Sequence, residues 1–402
     1  MGLDEPVIVR GRWVLPIGSE PLRDAEVVIE GERITEIRPA TGEVPPHVVT
    51  PGLVNAHAHL QYGPSFADLA DGDLPFARWI AQMIQRRAAT SHEGWRAETA
   101  ASWRLARAAG TTAVSDVVSN TAALDVDVPG VRFVESVGVH SPDWPAERTR
   151  LLAALEGHPD AAPAPHTLYT LGTDVVRGIA ELGRERDLRL HLHLAETADE
   201  TEFVRSGSGP LAALPFSAEM ELVRQGGAGL SPARYLDEIF GLGPDLHVAH
   251  GVHLDADDRA LLRAKGTSVA LCARSNAILQ AGEPPIAAHL EEGTLFCVGT
   301  DSLASSPSLD LLDELRALGA LARRQGYDRD DLARRLLEAA TIGGARAIGR
   351  AAGVLAPGAR ADVAVFAVDD PDGPDPYESV VRSGRCVQTL VAGTNGDGRD
   401  DG

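Results

Sequence analysis

His57-Ala58-His59 closes the run Val49-Thr50-Pro51-Gly52-Leu53-Val54-Asn55-Ala56, which places this pair at the end of a short apolar strand. Side chains alternate along a strand, so two imidazoles one residue apart point the same way and can reach one metal ion. A surface strand can also carry two histidines by chance, and the pair alone leaves both readings open. The rest of the chain shifts the balance. Of its 13 histidines, His191 and His193 fall in the run Leu190 to Glu196, and His247, His250 and His253 in the run Leu246 to Leu254. Asp301 follows a further apolar run, Leu295 to Thr300. Groups so far apart in sequence make sense together if their strands converge on the mouth of a barrel.

Length and composition set the bounds. A chain of 402 residues, 44% of them apolar, can bury a large core and hold one big domain with a smaller satellite. No apolar stretch approaches the length needed to span a bilayer, and Met1 to Glu5 lacks the basic-then-apolar order of a signal peptide, so a cytoplasmic location is expected. The formal charge of -21 comes with no stripe dense in Lys or Arg, which disfavours nucleic acid, anionic lipid and polyphosphate partners. Cys272, Cys297 and Cys386 are far apart, odd in number and without C-x-x-C spacing. They fit neither a disulfide framework nor a thiolate metal site, and read as reduced, small side chains.

The chain opens with short strand signals over Val7–Arg10, Trp13–Leu15, Ala25–Glu30 and Ile34–Ile37, and repeats that texture over 362–367 and 386–391. The two ends, 1–50 and 350–392, are expected to pair into one small β-sandwich domain. Between them, over 51–349, apolar runs alternate with helical stretches rich in Ala, Leu and Arg, the pattern of βα units around a parallel sheet. Eight strand candidates start near Leu53, Thr112, Val131, Ala161, Leu188, Leu246, Ser268 and Leu295. Eight such units make an α/β (β/α)8 TIM barrel, whose active sites lie at the carboxyl ends of the strands. The residues 393–402, rich in Gly and Asp, are expected to be disordered.

Pro51 to Leu60, His193-Leu194-Ala195-Glu196, Ala249-His250-Gly251, Gly299-Thr300-Asp301-Ser302 and Pro357 to Asp362 together resemble the amidohydrolase superfamily. Within it they resemble the mononuclear aminohydrolase branch, which holds cytosine, guanine, S-adenosylhomocysteine and aminodeoxyfutalosine deaminases and the triazine hydrolases. The resemblance covers nearly the whole chain, in the family's order.

His57, His59 and His193 offer neutral nitrogens and Asp301 one anionic oxygen, a set suited to one Zn²⁺, or Fe²⁺, with room for a water. The resemblance makes Glu196 a proton shuttle to a ring nitrogen, and gives His250 and Asp301 the attacking hydroxide or the leaving group to hold. Binuclear members bridge two metals with a carboxylated lysine. The one lysine here, Lys265, precedes the seventh strand, so a single metal is expected. Glu135 could stand near a second metal or fill the barrel interior. His191 is expected to be a packed, hydrogen-bonded interior residue, His247 structural, and His253 either a substrate contact or a solvent-exposed loop residue. His92, His140, His158 and His289 read as surface or loop residues.

For substrate the resemblance offers His166, Arg274 in Cys272 to Asn276, Ser302 and the pair Phe76 and Trp79 in Leu74 to Ile80. Adenosine-type members place a ribose-binding carboxylate between that Phe and Trp; here Ala77 and Arg78 stand there instead. Trp79 can stack a flat ring or simply be buried by an amphipathic helix. Gln61 could read a ring edge with its amide, and Arg274 could grip a carboxylate or carbonyl through two hydrogen bonds or form a salt bridge within its loop. The expected activity is hydrolytic deamination of a purine-like small molecule, 6-aminodeoxyfutalosine first. Alternatives are guanine, adenosine or cytosine deamination, triazine chloride or amine displacement, cyclic-amide opening, and a non-catalytic scaffold. A homodimer is compatible with apolar helices outside a barrel, and 197–245 could form a lid.

Overall fold

The structure, a computed structural model, describes residues 5–70, 76–138, 143–214 and 217–395. Leu74, Pro75, His140 and the end of the tail, 396–402, lie outside the described residues. Seven strands from the two ends of the chain form one sheet: β1 (Val7–Val14), β2 (Leu22–Glu30), β3 (Arg33–Pro39), β4 (His47–Pro51), β13 (Val363–Ala367), β14 (Arg385–Val391) and β15 (Thr394–Asn395), in the order β15-β14-β13-β4-β1-β2-β3. The sheet folds over, so that Val27 and Ile34 of its first half and Val363, Val365 and Leu390 of its second share one core with Val9, Val14 and Val49. The start of the tail is ordered, contrary to expectation: Val391 pairs with Thr394, and Gly393 donates to the carbonyl of Ala361.

The eight central strands are β5 (Leu53–Ala58), β6 (Thr111–Val118), β7 (Gly130–Ser136), β8 (Ala161–Pro165), β9 (Leu190–Leu194), β10 (Leu246–His250), β11 (Ser268–Leu271) and β12 (Phe296–Val298). Each begins within two residues of its expected start. They pair in parallel as β5-β6-β7-β8 and β9-β10-β11-β12. Hydrogen bonds from His193 N to His166 O (3.0 Å) and from Asp301 N to His57 O (3.1 Å) close both seams. The result is a (β/α)8 barrel with a small β-domain. Strands covered by helices on one face and filled by side chains on the other are buried throughout, as β5, β6 and β9 are.

The run around Val49 to Ala58 is two strands rather than one. Pro51 ends β4 in the small sheet, Leu53 begins β5 in the barrel, and the chain crosses at Gly52. A Cβ there would lie 2.1 Å from Thr112 Oγ1, so only glycine fits this crossing. Helices pack around the barrel by the usual stripe: Thr173–Glu185 buries Val175, Val176, Ile179 and Leu182, and Leu311–Arg324 buries Leu311, Leu312, Leu315 and Leu318. Within the segment 197–245, Phe203, Val204, Leu222, Ala233 and Leu236 pack into the main core. No helix of the described residues is long and apolar enough to cross a membrane.

Candidate active site

Strand alternation aims the inner side chains at one another. In β9, Leu190, Leu192 and Leu194 join the outer core while His191 and His193 turn inward. His57 lies with its ring 5.0 Å from that of His191, 4.9 Å from His193 and 5.2 Å from His250. His250 shares the outward parity of Leu246 and Val248, yet its left-handed backbone (φ 72°) swings it over the barrel mouth. Ala195 (φ 51°) and Asp301 (φ 58°) adopt the same conformation just past β9 and β12. Such backbone costs on the order of 1–3 kcal/mol at each non-glycine residue and concentrates where side chains must be aimed.

Hydrogen bonds fix which nitrogen of each ring is free. The carbonyl of His247 can only accept, so His191 donates from Nδ1 (3.1 Å) and presents a bare Nε2. That nitrogen accepts from His57 Nδ1 (3.0 Å), which leaves the His57 Nε2 lone pair without a partner in the buried site. His193 likewise spends its Nδ1 proton on the carbonyl of His166 (3.0 Å) and faces His59 Nε2 with its own Nε2 at 3.1 Å. Asp301 takes hydrogen bonds from Ser275 (2.6 Å) and Ser305 (2.8 Å) on Oδ2, and turns Oδ1 to His57 Nε2 at 3.8 Å and His59 Nε2 at 3.9 Å. Orphaned nitrogens and one free carboxylate oxygen converging in a buried space are a donor set that fits a divalent cation.

The protonation states agree with that use. Burial holds His57 well below the ordinary imidazole value, helped by the neighbouring imidazoles, and takes His59 down to about 3 against the pull of Asp301. Neutral imidazole is the ligand form. For Asp301 burial pushes upward, but His59, His250 and the Ser275 hydrogen bond outweigh it and keep the carboxylate ionised. Glu196 differs: burial lifts its carboxyl to about 7, with His193 opposing and Asp301 adding to the rise. Its Oε1 stands 3.7 Å from His250 Nε2, and Asn276 donates to His250 Nδ1 (3.0 Å), so neutral His250 carries its proton on Nε2, toward Glu196. The loop bearing Glu196 is held by Glu200, whose two oxygens accept from the backbone N–H groups of Ala195 and Glu196, each at 2.9 Å.

A model of the amidohydrolase family matches residues 48–396. The chain belongs to the amidohydrolase family. As such it is an enzyme that hydrolyses C–N bonds. It is 32% identical over 340 residues, 81% of this chain and 74% of the relative, to a 5-methylthioadenosine/S-adenosylhomocysteine deaminase of Haloarcula marismortui. It is 28% identical over 438 aligned positions, 98% of this chain and 93% of the relative, to a 5'-deoxyadenosine deaminase of Methanothermobacter thermautotrophicus. Its fold is similar to an adenosine deaminase from Xanthomonas campestris with bound zinc (TM-score 0.81, 24% identity, 96% of this chain and 92% of that one). It is also similar to an aminofutalosine deaminase of Helicobacter pylori in complex with methylthio-coformycin (TM-score 0.79, 19% identity, 96% and 99%).

The amidohydrolase departs from expectation on the substrate side. Arg274 is committed: it bonds Glu314 (2.6 Å), Asp313 (3.1 Å), Ser306 (3.1 Å) and both the hydroxyl and the carbonyl of Ser308. Its guanidinium has no fork left for a substrate. Gln61 is committed too, donating to Ser119 Oγ (2.8 Å) and accepting from Asn120 N (3.1 Å), which ties the loop after β5 to that after β6. Ser302 lies buried in the turn after Asp301, its hydroxyl 3.5 Å from Ser305 Oγ. His253 is half-buried in its loop and donates to the carbonyl of Ala281 (2.7 Å). His289 is fully buried on the helix Ile286–Glu292, not at the surface. Trp79 donates to the carbonyl of Ala304 (2.8 Å) and packs beside Tyr62, Phe66 and Met83, while Arg78 is exposed. His166 does border the cluster, its ring 4.9 Å from that of His193 and its Nδ1 3.0 Å from Thr170 Oγ1.

Sequence reasoning passed over Ser275, Asn276 and Ser305, which hold Asp301 and His250. The signal was present in Ser275-Asn276, directly after Arg274. It also passed over Tyr62, stacked on His59 at 5.6 Å, with Arg87 over its ring at 5.8 Å.

Proposed function

We propose that this amidohydrolase is a hydrolytic deaminase that releases ammonia from the 6-amino group of an adenine nucleoside, within the barrel 51–349, using one zinc ion held by His57, His59, His193 and Asp301. A divalent ion there supplies the Lewis acidity that makes water a nucleophile at neutral pH. Glu196 carries a proton up to about pH 7 and gives it to the ring nitrogen beside the amino-bearing carbon, so that carbon accepts attack. His250 presents its Nε2–H to the incoming oxygen, and Asp301 Oδ1 accepts from that oxygen's remaining proton. The adduct's hydroxyl proton, accepted at Asp301 Oδ1, then passes through the Glu196 carboxylate to the amine as the C–O bond becomes a carbonyl and the C–N bond breaks; ammonia leaves, and the next water to be deprotonated gives Glu196 its proton again.

The observation that carries this reading is the buried Glu196 carboxyl, raised to about 7 and 3.7 Å from His250 Nε2, at the edge of the imidazole cluster. A carboxyl that is both protonated and ionised near neutral pH can serve each half of the reaction. A scaffold with no chemistry has no use for it. The relatives' names, which cover 5-methylthioadenosine, S-adenosylhomocysteine and 5'-deoxyadenosine, support adenosines altered at the 5' position as the substrate class. 6-Aminodeoxyfutalosine belongs to that class, though Arg274, the cation expected to hold its carboxylate, is bound to Glu314.

Ammonia release from zinc-loaded protein tests this against 5'-deoxyadenosine, 5'-methylthioadenosine, S-adenosylhomocysteine, 6-aminodeoxyfutalosine, cytosine and an aminotriazine. The expected result is release from one or more adenosines and none from cytosine or triazine. Release only from a non-purine overturns the purine reading, and release from none overturns the deaminase reading.

A further inference from the structure

A cleft of about 930 Å³ runs between the small β-domain and the barrel, and none of its lining residues belongs to the metal cluster. Strands β1, β4, β13 and β14 supply its walls on one side and the helix His92–Ala108 on the other. Thr389 Oγ1 in β14 donates to the carbonyl of Arg107 (2.8 Å) and so fixes the helix against the sheet. Three guanidinium groups line the cleft: Arg10 from β1, and Arg104 and Arg107 one turn apart on the helix. Arg10 gives Nε to the buried carboxylate of Glu26 (2.8 Å), and its other two nitrogens have no acceptor among the described residues. Arg104 is exposed and has neither a hydrogen bond nor an ion pair among the described residues. Arg107 Nε is buried without a partner, and its Nη2 reaches the carbonyl of Thr394 only at 3.4 Å.

The chain holds 58 acidic side chains to 37 Lys and Arg, yet no carboxylate pairs with Arg104 or Arg107 among the described residues. Like charges one turn apart on a helix repel, and a buried N–H without a partner is costly. An anion between the walls relieves both. The charge count narrows its kind: with Arg10 set against Glu26, two guanidinium groups lack a counter-ion. A phosphomonoester carries close to two negative charges at neutral pH and three acceptor oxygens, whereas a carboxylate brings one charge and two oxygens. Guanidinium forks match phosphate oxygens in pairs. Glu43, the one carboxylate among the lining residues, is exposed to water. The cleft also has apolar lining, from Ile8, Trp103 and Val387, the last of these 52% exposed. A ligand that covers those side chains has a carbon body beside its charge. No run of the sequence announces the site, because Arg10 and the Arg104–Arg107 pair meet only in the fold.

We propose that this cleft binds a small organic phosphate, a phosphomonoester with an apolar or aromatic body, whose phosphate is taken by Arg104 and Arg107 from the helix and by Arg10 from the sheet. The site is separate from the deaminase centre and does not depend on it. Each charge-assisted bond from a guanidinium to the phosphate corresponds to about tenfold to a hundredfold in affinity.

The test titrates phenyl phosphate, inorganic phosphate and benzoate calorimetrically into zinc-loaded protein at fixed physiological ionic strength. Wild type is compared with Arg104→Glu, Arg107→Gln and Arg96→Glu. Arg104 touches no partner, so its replacement breaks no contact of the fold, and thermal melts of the free proteins check this. Arg96 lies on the same helix but outside the cleft, and its reversal changes the overall charge by the same amount. Screening over about 8 Å confines the effect of a distant charge. The expected result is one equivalent of phenyl phosphate bound by wild type, more tightly than inorganic phosphate or benzoate. Binding should weaken by about tenfold or more in Arg104→Glu and in Arg107→Gln, and by less than about twofold in Arg96→Glu. No binding of phenyl phosphate at millimolar concentration overturns the proposal, as does equal binding by wild type and Arg104→Glu. Equal weakening in Arg96→Glu reduces the effect to overall charge and overturns it too. Benzoate bound as tightly as phenyl phosphate overturns the phosphate assignment, and inorganic phosphate bound as tightly overturns the organic body. None of these readouts uses ammonia release, so the proposal and the deaminase reading stand or fall separately.

Discussion

Glu196 and His191 show how neighbours assign a residue its chemistry. A free glutamate is ionised at neutral pH; burial lifts Glu196 to about 7, so its acid form is present below that pH and lost as pH rises through it. Turnover is accordingly expected to decline above about pH 7 with a single titration, and a pH–rate profile level to about pH 9 would contradict the assignment. His191 sets the tautomer of His57 by accepting from its Nδ1, so His191→Phe should weaken metal affinity by about tenfold to a hundredfold while leaving the fold intact. Chelator competition measures this, and unchanged affinity would mean the His191 contact is packing alone. The residue types at the centre were legible in sequence, because histidines at the ends of apolar strands are costly to bury unless a shared ligand or hydrogen bonds complete them. The commitments of Arg274 and Gln61 were not, since whether a long polar side chain is free depends on Glu314 and Ser119, which approach only when the chain folds.

At the scale of elements, the βα alternation gave away all eight barrel strands, because a parallel strand buried on both faces leaves a compact apolar run between helical stretches. The split of the first run into β4 and β5 falls at Pro51-Gly52, a pair that commonly punctuates a strand, but that the chain crosses there from one sheet to another shows only in the approach of Thr112. The loops after the strands carry the demands that sequence shows least. At Gly299 a Cβ would meet His57 Cβ at 2.7 Å and its carbonyl oxygen at 2.8 Å. Gly299→Ala should push β5 from β12 and cost the protein its metal, which elemental analysis of the purified variant would reveal; a variant with full metal content would refute the close-approach argument. Arg274→Ala leaves Glu314 buried without its cation and should destabilise the fold by about 3 kcal/mol, lowering Tm, with KM changed no more than about twofold. A large rise in KM at unchanged Tm would return Arg274 to the substrate.

For the whole molecule, the two chain ends could be assigned to one β-domain from their shared texture, but their union into a single folded-over sheet, continued to Asn395, needed the pairing of β13 with both β4 and β14. The barrel in turn closes through the metal cluster itself, since the bond from Asp301 N to His57 O is both a seam and a link between cluster residues. Removing the ion should therefore lower thermal stability by about 4 kcal/mol relative to protein with metal at a thousandfold its Kd, and zinc should restore it; equal melting with and without metal would contradict this coupling. The net charge of -21 is compatible with a small neutral substrate and does not select one. The central claim is that a carboxyl beside the imidazole cluster moves the proton in a hydrolytic deamination. It is tested most directly by ammonia release from Glu196→Gln, with metal content assayed on the same sample. A loss of at least about a hundredfold in kcat with one equivalent of metal retained is expected, and near wild-type turnover by that variant would contradict this role for Glu196.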